Sequence, residues 1–470
     1  MKKNNIWQFL SDHGLVLVIV LAFVYRIIFF VSLQPWSPEV IKNEVIIQDA
    51  REYHPLALSI ISNKSFEDFT AFRTPGYPVF LAIIYSISSS SVWLVLLVQI
   101  FLSLVSAFLV YKIAALFLSH KVALLSVLLF SIDTTQAVWT VELYSETLYV
   151  LLFLSSVYFL CRNLKENKFF HLCISALFLG IATLVKPVSF MFPVVVIIVI
   201  LLIGNVKITL KLLNGLVYVL VFLITISPWL LHNYTKHGEA KLSSITGFNL
   251  LLYNVAYTEV AKTDKTIEEV RKEFNKMAAK QGADTVNISS FKNSDIYTTI
   301  AKQYIKDNLF FYTKRHLMGT LNMFAGLGTH KIIGLLHINT QTKRTDPFAD
   351  PGIIKRIMIF FQEKPLALLI IALLLGSYLV INYLFSLYGV YVLLKYKEVF
   401  WVVFILIILY FSALTGVVGY DRYRVPFMPF INILCAIGIF NFYEKISVKS
   451  KGSENNTLQN TSYERKKSLS

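Results

Sequence analysis

Long apolar runs separated by short polar segments set the plan of this chain. A run of roughly 20 apolar residues is enough to cross the hydrocarbon of a bilayer as a helix, and about ten such runs are legible. They lie near 14–33, 91–115, 121–139, 146–161, 170–186, 188–204, 211–231, 365–394, 399–416 and 425–442. The run 78–87 is too short to cross and reads as an interfacial helix. The expected fold class is an all-α polytopic membrane protein, a helical bundle with extracytoplasmic loops and amphipathic helices.

The polar segments differ in character. The stretch 49–78 is aromatic and punctuated by proline; after Asp49, the side chains of Tyr53, Leu56, Ala57 and Ile60 fall on one helical face. Arg73 and the turn Pro75-Gly76 close it. An acid, aromatics and a cation gathered at a membrane surface make 34–78 a candidate site. Farther on, 243–254 reads as a loop returning to the surface, and 264–281 and 291–307 as amphipathic helices, with Ile267, Val270 and Phe274 on one face of the first. The stretch 310–327 mixes aromatics with Lys314, Arg315 and His316, which suits a helix lying among headgroups. No independent core is legible in 232–364, so it reads as a lid. The expected organisation is a membrane module over 1–231, the extracytoplasmic and interfacial region 232–364, further spans over 365–444 and a disordered cytoplasmic tail over 445–470.

Composition agrees with this reading: 56% of the 470 residues are hydrophobic, 15% are charged, and mean hydropathy is +0.62. A net charge of +16 could signal a nucleic-acid partner, but the placement of the bases argues otherwise. Lys2 and Lys3, Lys121, Arg162 with Lys165 and Lys168, Lys207 with Lys211, and Lys395 with Lys397 sit at ends of alternate spans. The positive-inside rule then puts both termini in the cytoplasm and 34–78 outside a cytoplasmic membrane, with lipid and not nucleic acid as the surroundings. The first apolar block is long enough to span, and no cleavage site follows it. Cys161, Cys173 and Cys435 lack CxxC spacing and read as buried thiols, not as a disulfide or metal set.

Other charges add to the picture. Arg26 lies inside the first span and must face the bundle interior or an interface. Glu142 and Glu146 share a face if helical; Glu142 reads as part of a solvated helix start, whereas Glu146 reads either as a first-turn acid behind an N-capping Ser145 or as a member of the site. Lys186 is a base on the wrong side for topology and suits a phosphate ligand, while Pro187 divides an overlong run. Arg422 and Arg424, among the tyrosines of 420–424, also suit an anion.

Taken together these residues resemble the multi-span glycosyltransferases that use polyprenyl-phosphate sugars. The nearest likeness is to family 39, the protein mannosyltransferase-like enzymes that include bacterial aminoarabinose transferases. The matching stretches are Asp-Ala-x-x-Tyr at 49–53, Thr-Pro-Gly-Tyr-Pro at 74–78, Ser-Glu-Thr at 145–147, Leu-Val-Lys-Pro at 184–187, Pro-Trp-Leu-Leu-His-Asn-Tyr at 228–234 and Arg-Tyr-Arg-Val-Pro at 422–426. The resemblance implies a GT-C architecture and inverting transfer of a hexosyl or pentosyl group from a polyprenyl-phosphate carrier to a lipid, glycan or protein acceptor. It implies Asp49 as the catalytic residue, acting as base or orienting group for the acceptor, and substrate contacts from Tyr53, Arg73, Tyr77, Glu146, Lys186, His232, Arg422, Tyr423 and Arg424. No cofactor is certain, and a divalent metal is an option. Some relatives carry an acid and a lysine just before the first-loop proline. Here Arg73-Thr74 stand there, so a metal role for that acid does not carry over. The rival expectation is a transporter or flippase, which calls for charges near the middle of spans and for related halves within the chain; no internal repeat is visible.

Overall fold

A computed structural model describes residues 2–63, 65–66, 69–203, 206–263, 265–284, 289–336 and 366–467. Among these the chain is helical throughout, without strands. Six helices are long and apolar enough to cross a bilayer: His13–Leu33, Val92–Phe117, Glu146–Glu166, Ile208–His237, Leu366–Lys395 and Met428–Ser447. A seventh candidate, His120–Ile132 followed by Thr134–Val141, is bent by 57°. The bend falls where Asp133 leaves helical geometry and its carboxylate accepts from the backbone N–H groups of Thr135 and Gln136, which opens a second helix at an angle to the first.

The remaining expected spans are shorter helices, Phe169–Val185, Pro187–Leu202 and Trp401–Leu414, as is Gly76–Ser88. Among the described residues the ten apolar runs thus give six long helices, one bent pair and three shorter helices: extended Lys186 ends one helix, and Asp133 bends another.

Helix direction alternates along the bundle, so its two ends differ. At one end Phe117 stacks on Phe400 with ring centroids 4.6 Å apart, and the Lys165 ammonium donates to the Leu116 carbonyl. These are the basic connections of the sequence. The acidic and aromatic connections share the opposite end.

There, the chain between Gly238 and Leu336 does form a core of its own: Leu251, Leu252, Val255, Val270, Phe274, Tyr297 and Ala301 bury one another. The amphipathic helices are Ile267–Lys280, with a Thr266–Glu269 capping box, and Phe291–Asp307, close to the expected limits. Residues 243–254, expected as a loop, are mostly helical: Ile245–Asn249 runs into a π-helical turn, Leu250–Val255. Leu309–Ala325 exposes Phe310, Leu317 and Leu321 along one stripe, as a helix lying among headgroups requires. Its Gly319 meets the backbone of 416–417 so closely that a Cβ would stand 2.4 Å from the Gly416 carbonyl oxygen. The last helix, Met428–Lys467, continues through the stretch expected to be disordered, which contains no proline.

Candidate active site

The site grows from four helix ends brought to one mouth. Asp49 immediately precedes the helix Ala50–Asn63, whose buried face holds Ala50, Tyr53 and Ala57; Leu56 and Ile60 are only half buried. Arg73 comes from the segment that returns to the bundle. That segment is fixed from behind: Thr74 Oγ1 donates to the Val185 carbonyl at 3.3 Å, and Gly76 lies so near the Leu184–Val185 peptide that a Cβ would sit 2.7 Å away. Arg73 is thereby held near Lys186, which caps the end of Phe169–Val185 in extended geometry. Glu146 opens the helix Glu146–Glu166 after Ser145, whose side chain makes no capping bond. Arg422 lies in the 3-10 turn Asp421–Arg424 just before the last helix.

Asp49 is the meeting point. Its Oδ1 accepts from Arg73 Nη2 at 2.9 Å and its Oδ2 from Arg422 Nη1 at 3.1 Å. Arg73 also donates through Nε to Glu52 Oε2 at 2.7 Å, and its guanidinium lies 5.0 Å from the Tyr53 ring centroid. Lys186 Nζ donates to Glu146 Oε1 at 2.8 Å. Burial pushes the Asp49 carboxyl up, but Arg422 and Arg73, with Lys186 behind them, reverse this and hold it below the usual aspartate value. The carboxylate is ionised at neutral pH, and its side chain is 27% exposed, within reach of a ligand.

A second ion pair adjoins the first. Lys331, on the short helix Thr329–Leu335, donates to Glu142 Oε1 at 2.8 Å and lies 5.4 Å and 5.7 Å from the ring centroids of Trp139 and Tyr144. Arg422 lies 5.7 Å from the centroid of the same Tyr144 ring, and the Tyr144 hydroxyl donates to Gln48, the neighbour of Asp49. Glu142 is thus a buried partner of a lysine and not a solvated helix start; burial raises its carboxyl, with Lys331 opposing. Beneath these groups Tyr77, fully buried, packs edge-on to Tyr53 and donates to Gln99 Oε1 at 2.8 Å; Gln99 Nε2 in turn holds the carbonyls of Thr140 and Glu142.

Asp49, Tyr53, Arg73, Glu146, Lys186 and Arg422 therefore converge, and Tyr423 joins them beside Arg422, whose guanidinium is 5.4 Å from its ring. Tyr77 supports Tyr53 from below and has no exposure for a ligand. Two expected residues stand elsewhere. Arg424 points into the bundle, donating to the carbonyls of Met323, Phe324 and Gly326 and, at 2.9 Å, to Thr135 Oγ1: it ties the outer region to the membrane helices. Adjacent residues in a turn project differently, so only one arginine of the pair faces the mouth. His232 stacks on Trp229 and faces Phe66, one wall away from the Asp49 group. Lys331 and Glu52 were not expected. Glu52 was legible as an acid one turn from Asp49, whereas nothing in the local sequence marks Lys331.

Among the described residues no three His, Cys, Asp or Glu side chains converge as metal ligands, and Asp49, Glu52, Glu142 and Glu146 each already face a cation.

Residues 73–232 match the family described as dolichyl-phosphate-mannose-protein mannosyltransferase. No curated protein matches the chain by sequence. Among solved structures, the chain is similar to the oligosaccharyltransferase AglB from Archaeoglobus fulgidus in complex with an inhibitory peptide and a dolichol-phosphate (TM-score 0.53, 13% identity, 95% of this chain and 52% of that one). The apo form of the Archaeoglobus fulgidus oligosaccharyltransferase gives a TM-score of 0.51 at 12% identity, over 94% of this chain and 52% of that one. The chain spans about half the length of these structures. The shared fold is that of the GT-C membrane proteins.

Proposed function

We propose that this chain, a multi-pass membrane protein of GT-C fold, is a glycosyltransferase that moves a sugar from a polyprenyl-phosphate carrier to an acceptor hydroxyl at the outer face of the cytoplasmic membrane, with inversion. The observation that carries the reading is the Asp49 carboxylate clamped between Arg73 and Arg422 at a partly exposed mouth. The family described by its mannosyl-carrier chemistry, matched over 73–232, supports the same reading, as does a structural neighbour solved with dolichol-phosphate.

The chemistry follows from the charges. An arriving lipid phosphate competes with Asp49 for Arg73 and Arg422, since guanidinium forks bind phosphate and carboxylate alike. Once they turn to the phosphate, an Asp49 oxygen is free to accept the proton of the acceptor hydroxyl as that oxygen attacks the anomeric carbon. The bond from the anomeric carbon to the phosphate oxygen breaks, and its electron pair leaves with the phosphate. That leaving group departs as an anion facing arginines, so no separate acid is needed. Glu146 restrains Lys186 beside the same space, where it can meet a sugar hydroxyl or the phosphate.

The test is Asp49→Asn, assayed in membranes supplied with a polyprenyl-phosphate sugar. Loss of a general base costs about 10²–10⁴-fold in rate, with carrier binding retained. Transfer at the normal rate would remove Asp49 from the reaction.

A further inference from the structure

We infer that Arg271 is an oxyanion-binding residue that selects acceptors bearing a phosphate or carboxylate, in a subsite separate from the one that takes the carrier. This rests on the glycosyltransferase reading and adds the class of acceptor.

Arg271 lies on the helix Ile267–Lys280, outside the membrane bundle. Its Nε donates to the Leu252 carbonyl at 2.8 Å, within the π-helical turn Leu250–Val255. The guanidinium lies 4.6 Å from the Tyr253 ring centroid and 5.7 Å from that of Tyr257. One nitrogen and the planar face are therefore fixed. The two terminal nitrogens have no partner among the described residues, and no carboxylate pairs with them. This differs from the mouth itself, where Arg73, Arg422, Lys186 and Lys331 each face an acid. A half-buried guanidinium oriented by a carbonyl and two rings has already lost most of its freedom, so it can bind an oxyanion with two parallel hydrogen bonds at little further entropic cost.

Its position ties it to the reaction. Tyr257, which lies beneath Arg271, packs with Val417 and Val418 just before Tyr420, and Arg422 is 6.0 Å from the Tyr420 ring and bonded to Asp49. From the other side Tyr253 meets Phe248 at 5.7 Å, Phe248 meets Phe72 at 5.4 Å, and Phe72 lies beneath Arg73. A rim of aromatic faces thus runs from one Asp49-binding arginine to the other by way of Arg271. Ring faces of this kind accept the apolar faces of sugars, and the guanidinium adds a requirement for negative charge. The carrier phosphate is met by Arg73 and Arg422, which leaves Arg271 for the other substrate.

The experiment uses the full chain in phosphatidylcholine nanodiscs saturated with undecaprenyl phosphate, so that the carrier arginines are occupied. Glucose 6-phosphate, glucuronate and glucose are then titrated as probes. Saturable binding of either anionic sugar, at least tenfold tighter than glucose, is expected. Binding of the phosphate but not the carboxylate, or the reverse, identifies which oxyanion is preferred and also supports the proposal. Arg271→Gln can still donate to the Leu252 carbonyl but loses the charge; it should abolish anionic-sugar binding and leave undecaprenyl phosphate binding unchanged. Equal binding of all three sugars, or unchanged binding in Arg271→Gln, overturns the assignment. If Arg271→Gln loses undecaprenyl phosphate instead, the residue serves the carrier and the proposal fails. If the wild-type chain binds no undecaprenyl phosphate at all, it is the glycosyltransferase reading that falls, whatever the sugars do.

Discussion

In the proposed reaction Asp49 must meet two demands that oppose each other. A base needs a free lone pair, yet both of its oxygens are held by guanidiniums that keep it charged. The sign of the pH effect follows. With its folded value depressed, Asp49 stays ionised in the folded chain as pH falls through the ordinary aspartate range; its contribution to stability is complete above that range and is lost progressively as pH falls from there through the depressed folded value. Arg422→Gln removes the largest of the opposing charges and leaves burial to act. The acid limb of the residual transfer rate should then move to higher pH, as measured in a pH–rate profile, whereas an unmoved limb would mean that Arg422 does not set the Asp49 charge. At this scale the acid, Arg73, Lys186 and Arg422 were legible, because charged residues at the ends of apolar runs need a reason to be there. The inward direction of Arg424 is not legible, because charge and position do not reveal which way a turn points a side chain, nor is the place of Lys331, whose partner lies 189 residues away.

At the scale of elements, the junction between Gly76–Ser88 and the end of Phe169–Val185 sets the spacing of Arg73 and Lys186. Alanine is ordinarily favoured over glycine in a helix by up to about 1 kcal/mol. At residue 76 that gain is outweighed, because the new methyl would meet backbone atoms at 2.7 Å that cannot swing aside. Gly76→Ala is expected to destabilise by roughly 1–3 kcal/mol, the usual range for overpacking. It should lower both Tm in detergent and transfer, and an unchanged Tm would show that the junction is loose. The amphipathic helices 267–280 and 291–307 were legible almost to the residue, since their periodicity is strong and their caps are explicit. The span count was not: hydropathy measures how apolar a run is, whereas the length of a helix depends on where Asp133 or Lys186 interrupts it.

For the whole molecule, the alternation of helix direction makes a topological prediction. In a chain whose buried or half-buried Cys161, Cys173 and Cys435 have been replaced, Lys168→Cys and Lys397→Cys should react with an impermeant maleimide only from the cytoplasmic side. Glu44→Cys and Lys262→Cys should react only from outside, and labelling of all four from one side would contradict the arrangement. The asymmetry was visible in the sequence as bases at alternate ends. The core between Gly238 and Leu336 is not legible in the sequence, because it is assembled from three separate segments, each with too few apolar residues to declare itself.

The buried arginines bear on how the chain is made. Arg26 enters the bilayer with the first helix, but its Nε and Nη1 partners, Ser103 and the Ser131 carbonyl, are synthesised much later. An arginine at the centre of a nascent membrane helix costs about 2.5–3.5 kcal/mol during insertion, so the opening segment is held at a disadvantage until those helices arrive. Closure comes later still, because Thr135 and Gln136 await Arg424 and Val425, 289 residues downstream. A chain interrupted before that last turn therefore leaves the Gln136 amide and the Thr135 hydroxyl without these partners.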